Sequence, residues 1–123
     1  MQRFVYHNEN PDKNKVNDCV TRAIKLASGL PYSEIRQKLY HTSRLLKCKS
    51  ALCPTCYSFL IQEVLGGVMK DCNGLTVGEY AQENHCGIYL IRIQGHLTCL
   101  INGIIYDIWD CLDKKCDIVW KMA

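Results

Sequence analysis

No stretch of this 123-residue chain approaches the ~18 apolar residues needed to span a bilayer. The amino-terminal segment Met1 to Asn8 also lacks the apolar run of a secretory signal. Secretion and membrane insertion are therefore not expected, and a cytoplasmic location is. Internal repeats, low-complexity segments and interdomain linkers are absent too, so residues 1–123 read as a single domain with room for one core. Charge of one sign is scarce: a net +3 is too mild to argue for nucleic acid. The one local excess is Arg36, Lys38, Arg44, Lys47 and Lys49, opposed in that stretch only by Glu34. It suits a solvated helix face or an anionic partner.

Nine cysteines are present, an odd and scattered set. In a chain expected to stay where glutathione keeps thiols reduced, they read as free thiols, some buried and some available as metal ligands or nucleophiles. Apolar residues at 48% and charged residues at 22% lie near the globular average, so folding is expected without a partner.

Arg3 to Tyr6 suits a short strand, and the polar run His7 to Lys15, with Pro11, an irregular loop. Asn17 or Asp18 is a good helix N-cap. Val20, Ala23, Ile24 and Ala27 then recur at helical spacing until Gly29 and Pro31 stop the helix, which puts Cys19 in its first turn. A second helix is predicted from about Ser33 to Lys47, with Ile35, Leu39 and Leu46 on one face. After a cysteine-rich loop, Phe59, Leu60, Ile61, Val64 and Leu65 predict a third, well-buried helix ended by Gly66-Gly67, with Val68 and Met69 extended beyond it. Thr76-Val77-Gly78-Glu79 matches a capping box, which predicts a short helix to about Glu83. From Gly87 onward the pattern changes to strands: Ile88–Ile93, His96–Ile101, Ile104–Trp109 and Asp117–Trp120, with turns at Gln94-Gly95 and Asn102-Gly103. Helices first and an antiparallel sheet second predict an α+β fold.

A thiol attacks a carbonyl well only as thiolate, and the first turn of a helix lowers a cysteine's pKa through unpaired amides and the positive dipole end. Cys19 has that address; Cys48, Cys53 and Cys56 lie in a predicted loop and Cys99 in a predicted strand. A base is placed by counting register. A two-residue turn at Asn102-Gly103 sets Ile101 opposite Ile104, Thr98 opposite Asp107 and His96 opposite Trp109, so these four polar and aromatic residues share one face. Asp107 is the diagonal neighbour of His96, roughly 7–8 Å away along the backbone and within side-chain reach. Asp110 has the opposite parity and is the reserve. Trp109 is positioned to shield the pair from water. The amide of Cys19 and a side-chain amide of Asn14 or Asn17 are the candidate oxyanion donors.

Asn17-Asp18-Cys19-Val20-Thr21-Arg22-Ala23-Ile24, together with Gly95-His96-Leu97 and Tyr106-Asp107-Ile108-Trp109-Asp110, resembles the small papain-like, C39-related cysteine peptidase domains of bacteria and phages. The resemblance implies the papain-like fold, with N-terminal helices packed on a C-terminal antiparallel sheet. It also implies a Cys-His-Asp triad of Cys19, His96 and Asp107 acting without a cofactor on a peptide, isopeptide or side-chain amide. Papain-like enzymes usually carry an oxyanion glutamine roughly six residues before the cysteine. Lys13 stands there in this chain, with Asn14 next to it.

Two other readings compete. On the same fold, a non-catalytic module of a phage or mobile element would grip a host protein. Alternatively, Cys53-Pro54-Thr55-Cys56 joined by Cys111 and Cys116 would hold structural zinc, although the second pair is wider than the usual C-x-x-C. A thioredoxin-like role lacks the surrounding βαβ pattern. Arg22, one turn beyond Cys19, either stabilises a thiolate or pairs with a surface carboxylate.

Overall fold

A computed structural model describes residues 3–14 and 16–123. Strand β1 (Phe4–Tyr6) precedes a helical half of α1 (Cys19–Ser28), α2 (Tyr32–Leu45) and α3 (Pro54–Phe59), which runs into a π-helical turn, Leu60–Val64. Strand β2 (Val68–Lys70) and helix α4 (Val77–Glu83) follow, and then β3 (Ile88–Ile93), β4 (His96–Ile101), β5 (Ile104–Asp107) and β6 (Ile118–Lys121). The fold is α+β, as the order of patterns predicts.

Local chemistry accounts for most boundaries. α1 ends where Gly29 takes a left-handed φ of 75° and its N–H closes on the Lys25 carbonyl. α4 starts with a complete capping box, Glu79 N–H to the Thr76 hydroxyl and Thr76 N–H to the Glu79 carboxylate. The third helix begins earlier than predicted. Cys53 is its N-cap and Pro54 its first residue, because proline's fixed φ and missing N–H cost nothing in a first turn. Thus Cys-Pro-Thr-Cys is a helix start rather than part of the preceding loop. Val64, expected in its buried face, is 51% exposed, since the π turn rotates it outward.

The sheet order is β1-β5-β4-β3-β6-β2. Every pairing is antiparallel except β1 with β5, which is parallel, so the sheet is mixed and not the antiparallel one expected. Periodicity identifies a strand but not the direction of its neighbour, and a three-residue strand at the chain start has no hairpin to set that direction. β5 stops at Asp107, short of the predicted Trp109.

Side chains alternate across the sheet into two cores. Leu90, Leu97, Cys99 and Trp120 meet Val20, Ile24, Ile35 and Leu39 of the first two helices and Leu60 of the π-helical turn. On the other face Tyr89, Ile91, Ile93, Leu100, Ile105 and Val119 meet Val77, Tyr80 and Ala81 of α4. α1 lies directly on β4, which brings its first turn to the end of the sheet where β4 begins and β5 ends. Among the described residues no helix is long and apolar enough to cross a membrane.

Candidate active site

Three separate elements converge at that end of the sheet: Cys19 opens α1, His96 opens β4 and Asp107 closes β5. The β4–β5 turn is built by Asn102 and Gly103, both at positive φ (48° and 81°), the type I′ geometry that an Asn-Gly pair favours. It sets Ile101 against Ile104, Leu100 against Ile105 and Cys99 against Tyr106. The ladder stops there, one pair before Thr98 and Asp107, and side chains from both layers of the molecule reach the Asp107 carboxylate.

That carboxylate is 3% exposed and fully engaged. Oδ2 accepts from His96 Nε2 at 2.6 Å and from the Thr98 hydroxyl at 2.7 Å. Oδ1 accepts from the Ile108 amide at 2.7 Å and from Arg22 Nη1 at 3.2 Å. Burial by itself would raise the Asp107 pKa, but the hydrogen bond and charge of His96, with the Thr98 and Ile108 donors, hold it below the usual carboxylate value. Trp109 packs against the imidazole with ring centroids 4.9 Å apart and ring planes 80° to each other. Asp110 is exposed and instead accepts the Leu112 amide at 3.1 Å.

With Nε2 committed to Asp107, the imidazole stands near enough to Cys19 for charge and hydrogen bonding to couple the two groups. Burial works against ionising the Cys19 thiol, yet its pKa is lowered by this bond, by the Leu97 amide and by the charges of His96 and Arg22. Burial likewise disfavours protonated His96, but Asp107 and Cys19 push its pKa up to about 9. The two shifts act in the same sense, each favouring the charged form of its group. Elsewhere burial pushes the thiols of Cys56, Cys99, Cys111 and Cys116 up. Cys53 is lowered by amides at the start of α3, but its side-chain partners are Thr55 and Cys48, with no histidine beside it.

Arg22 pairs with no surface carboxylate. Its Nε donates to Asp18 Oδ1 at 2.6 Å while Nη1 reaches Asp107, and all three side chains are buried. Asp18 sits at the N-cap of α1 without capping it. Its second oxygen accepts from Asn10 Nδ2 at 2.9 Å and the Tyr32 hydroxyl at 2.7 Å. The loop before α1, predicted as irregular, is thereby tied down, helped by Asn8 and Asn10 side chains accepting from the amides of Asn10 and Asp12. The Asp18/Arg22 spacing of four is a legible helical pair. Arg22 reaching Asp107, 85 residues away, left no sequence signal.

Asn14 and Asn17 are both exposed and line a cleft of about 850 Å³ between that loop, α1 and α2. Cys19 lies on the other flank of α1's first turn, in a small crevice with Arg22, Leu97 and Asp107.

The four cysteines of the zinc reading are parted by the sheet. Cys53 and Cys56 belong to the core under α2 and α3, Cys111 and Cys116 to the core under α4, so they do not share one ion. One other group, His96, Asp107 and Cys111, has ligand atoms within 4.8 Å of one another. Its donors suit a metal poorly. Asp107 already accepts four hydrogen bonds, the Arg22 cation lies beside it, and burial pushes the Cys111 thiol up to about 12. Comparison of the chain with protein-family models, curated proteins and solved structures finds no match.

Proposed function

We propose that this protein is a thiol hydrolase or acyltransferase of the papain-like kind, acting on a peptide, isopeptide or side-chain amide through Cys19, His96 and Asp107. The observation that carries the reading is the 2.6 Å hydrogen bond of His96 to Asp107 with Cys19 electrostatically coupled to the same imidazole, the three residues coming from elements distant in sequence. A leading helix that bears the cysteine and lies on the strand that bears the histidine supports the papain-like layout.

In this scheme the Cys19 thiolate attacks the carbonyl carbon, and the S–C bond forms as the carbonyl electron pair moves onto oxygen. His96 then gives its proton to the departing nitrogen as the C–N bond breaks. Water, or an acceptor amine in the transfer reaction, next yields a proton to His96 and adds to the acyl carbon, which releases the thiolate. Asp107 keeps the imidazole in the tautomer and orientation both steps need. The amide of Cys19 supplies an oxyanion donor, whereas Asn14 and Asn17 line the cleft on the other flank of that turn.

Iodoacetamide labelling of Cys19, followed by peptide mass spectrometry across pH, tests the reading. Labelling is expected to persist at pH values where an ordinary thiol is protonated, and His96→Ala is expected to abolish that advantage. If Cys19 reacts no faster than a model thiol and the variant matches the wild type, the nucleophile assignment fails. The non-catalytic module on the same fold would then stand.

A further inference from the structure

The 850 Å³ cleft beside α1 has a charged wall that the chemistry of the triad does not use. Arg36 and Tyr40 of α2 line it, and Arg44 continues the same stripe at helical spacing, its guanidinium 5.8 Å from the Tyr40 ring centroid. All three side chains are exposed, Tyr40 by 61%. Lys38, Lys47 and Lys49 belong to the same stretch of sequence but do not line the cleft. Among the described residues, the ion pairs take up none of these five cations. On the facing wall Asp18 is already neutralised by Arg22, leaving Asp12 as the acidic residue against them.

Position connects this wall to the thiol. Asn17, Asp18 and Thr21 line the cleft, and Cys19 lies between them in sequence on the neighbouring flank of the same helical turn. A helix with its side chains is about 10 Å across, a span that an extended peptide covers in roughly three residues. An extended chain seated in the cleft is therefore long enough to reach Cys19 within a few residues. Apolar lining from Val16, Tyr32, Leu39 and Leu52 suits interspersed apolar side chains.

We propose that this cleft receives an acidic stretch of a polypeptide substrate, held by Arg36 and Arg44, with the attacked carbonyl a few residues away at Cys19. The proposal rests on the thiol-hydrolase reading for the reaction, but binding in the cleft is measurable without it. Complementary charge across such a surface sets partner choice and encounter rate more than it sets maximal affinity.

The test is fluorescence anisotropy with the Cys19→Ala chain, which binds without turnover, and two labelled dodecapeptides in which Glu or Lys alternates with Leu and Tyr. The Glu peptide is expected to bind at least about tenfold more tightly, an advantage that shrinks at high ionic strength. Reversing both charges (Arg36→Glu with Arg44→Glu) is expected to remove that preference. Equal binding of the two peptides, or a preference unmoved by the reversal, overturns the proposal. So does tighter binding of a single-stranded oligonucleotide, which would make the basic wall a nucleic-acid surface. Iodoacetamide labelling of wild-type Cys19 reports on the thiol separately, so failure of the hydrolase reading and failure of the acidic-substrate proposal are told apart.

Discussion

At the scale of single residues, the site is governed by one buried carboxylate held between two cations. Asp107 accepts from His96 on one oxygen and from Arg22 on the other, and His96 in turn pairs with Cys19. Hydrolysis is accordingly expected to follow a bell-shaped pH profile. Its acid limb reports Cys19 ionising below the ordinary thiol range, and its alkaline limb reports His96 losing its proton near pH 9. The same shift acts on stability. The folded state binds the His96 proton more tightly than the unfolded chain, so its stabilisation is fully present below the ordinary histidine value of 6.5 and is lost as pH rises through about 9. Urea titrations of wild type and His96→Ala across this window check it, the variant losing that pH dependence. Arg22→Met is expected to cost about 3–5 kcal/mol, because it leaves Asp18 buried without a cation and Asp107 with His96 alone. Chemical denaturation measures this, and a loss under about 1 kcal/mol would mean the pair is solvated in practice. Much of this residue-level detail was legible in the sequence. Cys19 was marked by its helix start, and His96 with Asp107 by strand parity. Arg22 was read as stabilising a thiolate or pairing with a surface carboxylate, and its reach to buried Asp107 was missed because a contact spanning the whole chain has no periodicity to betray it.

At the scale of elements, the β4–β5 hairpin positions the histidine and its carboxylate, and its turn is the point of greatest sensitivity. Gly103 has φ 81°, and a Cβ there would meet Arg3 Nη1 at 3.0 Å. Gly103→Ala is expected to destabilise the protein by roughly 1 kcal/mol or more. It should also slow Cys19 labelling if the strain shifts the register, which thermal melts and labelling rates measure together. Counting outward from Asn102-Gly103 recovered the pairing of Ile101 with Ile104 because a two-residue turn leaves no freedom in register. The same logic did not extend to β1, whose parallel partner β5 is nearly a hundred residues distant. Nor did it find the early start of α3, where proline and a cysteine-rich stretch imitate a loop. The capping box of α4 was readable because all of its hydrogen bonds lie within four residues.

At the scale of the whole molecule, a sheet buried on both faces holds the helical layer and α4 apart while bringing the ends of β4 and β5 to the start of α1. Leu90, fully buried in the centre of β3, is a gauge of that arrangement. Leu90→Ala is expected to cost about 2–5 kcal/mol, read from denaturant unfolding. Separation by the sheet also predicts that a strong chelator leaves the melting temperature unchanged, since Cys53 and Cys56 cannot join Cys111 and Cys116 around zinc. A fall of several degrees on chelation would overturn that expectation.

Helix starts, caps, strand alternation and hairpin register belong to short windows of chain, where each residue's conformational preference and its near neighbours settle the outcome, and those windows already placed Cys19, His96 and Asp107. Which layers face one another, that β1 runs parallel to β5, that Arg22 bridges Asp18 to Asp107, and that a cationic cleft flanks the thiol were decided by packing. The reason is physical: such contacts join residues far apart in sequence. They form only when burial of two apolar sheet faces brings their elements together.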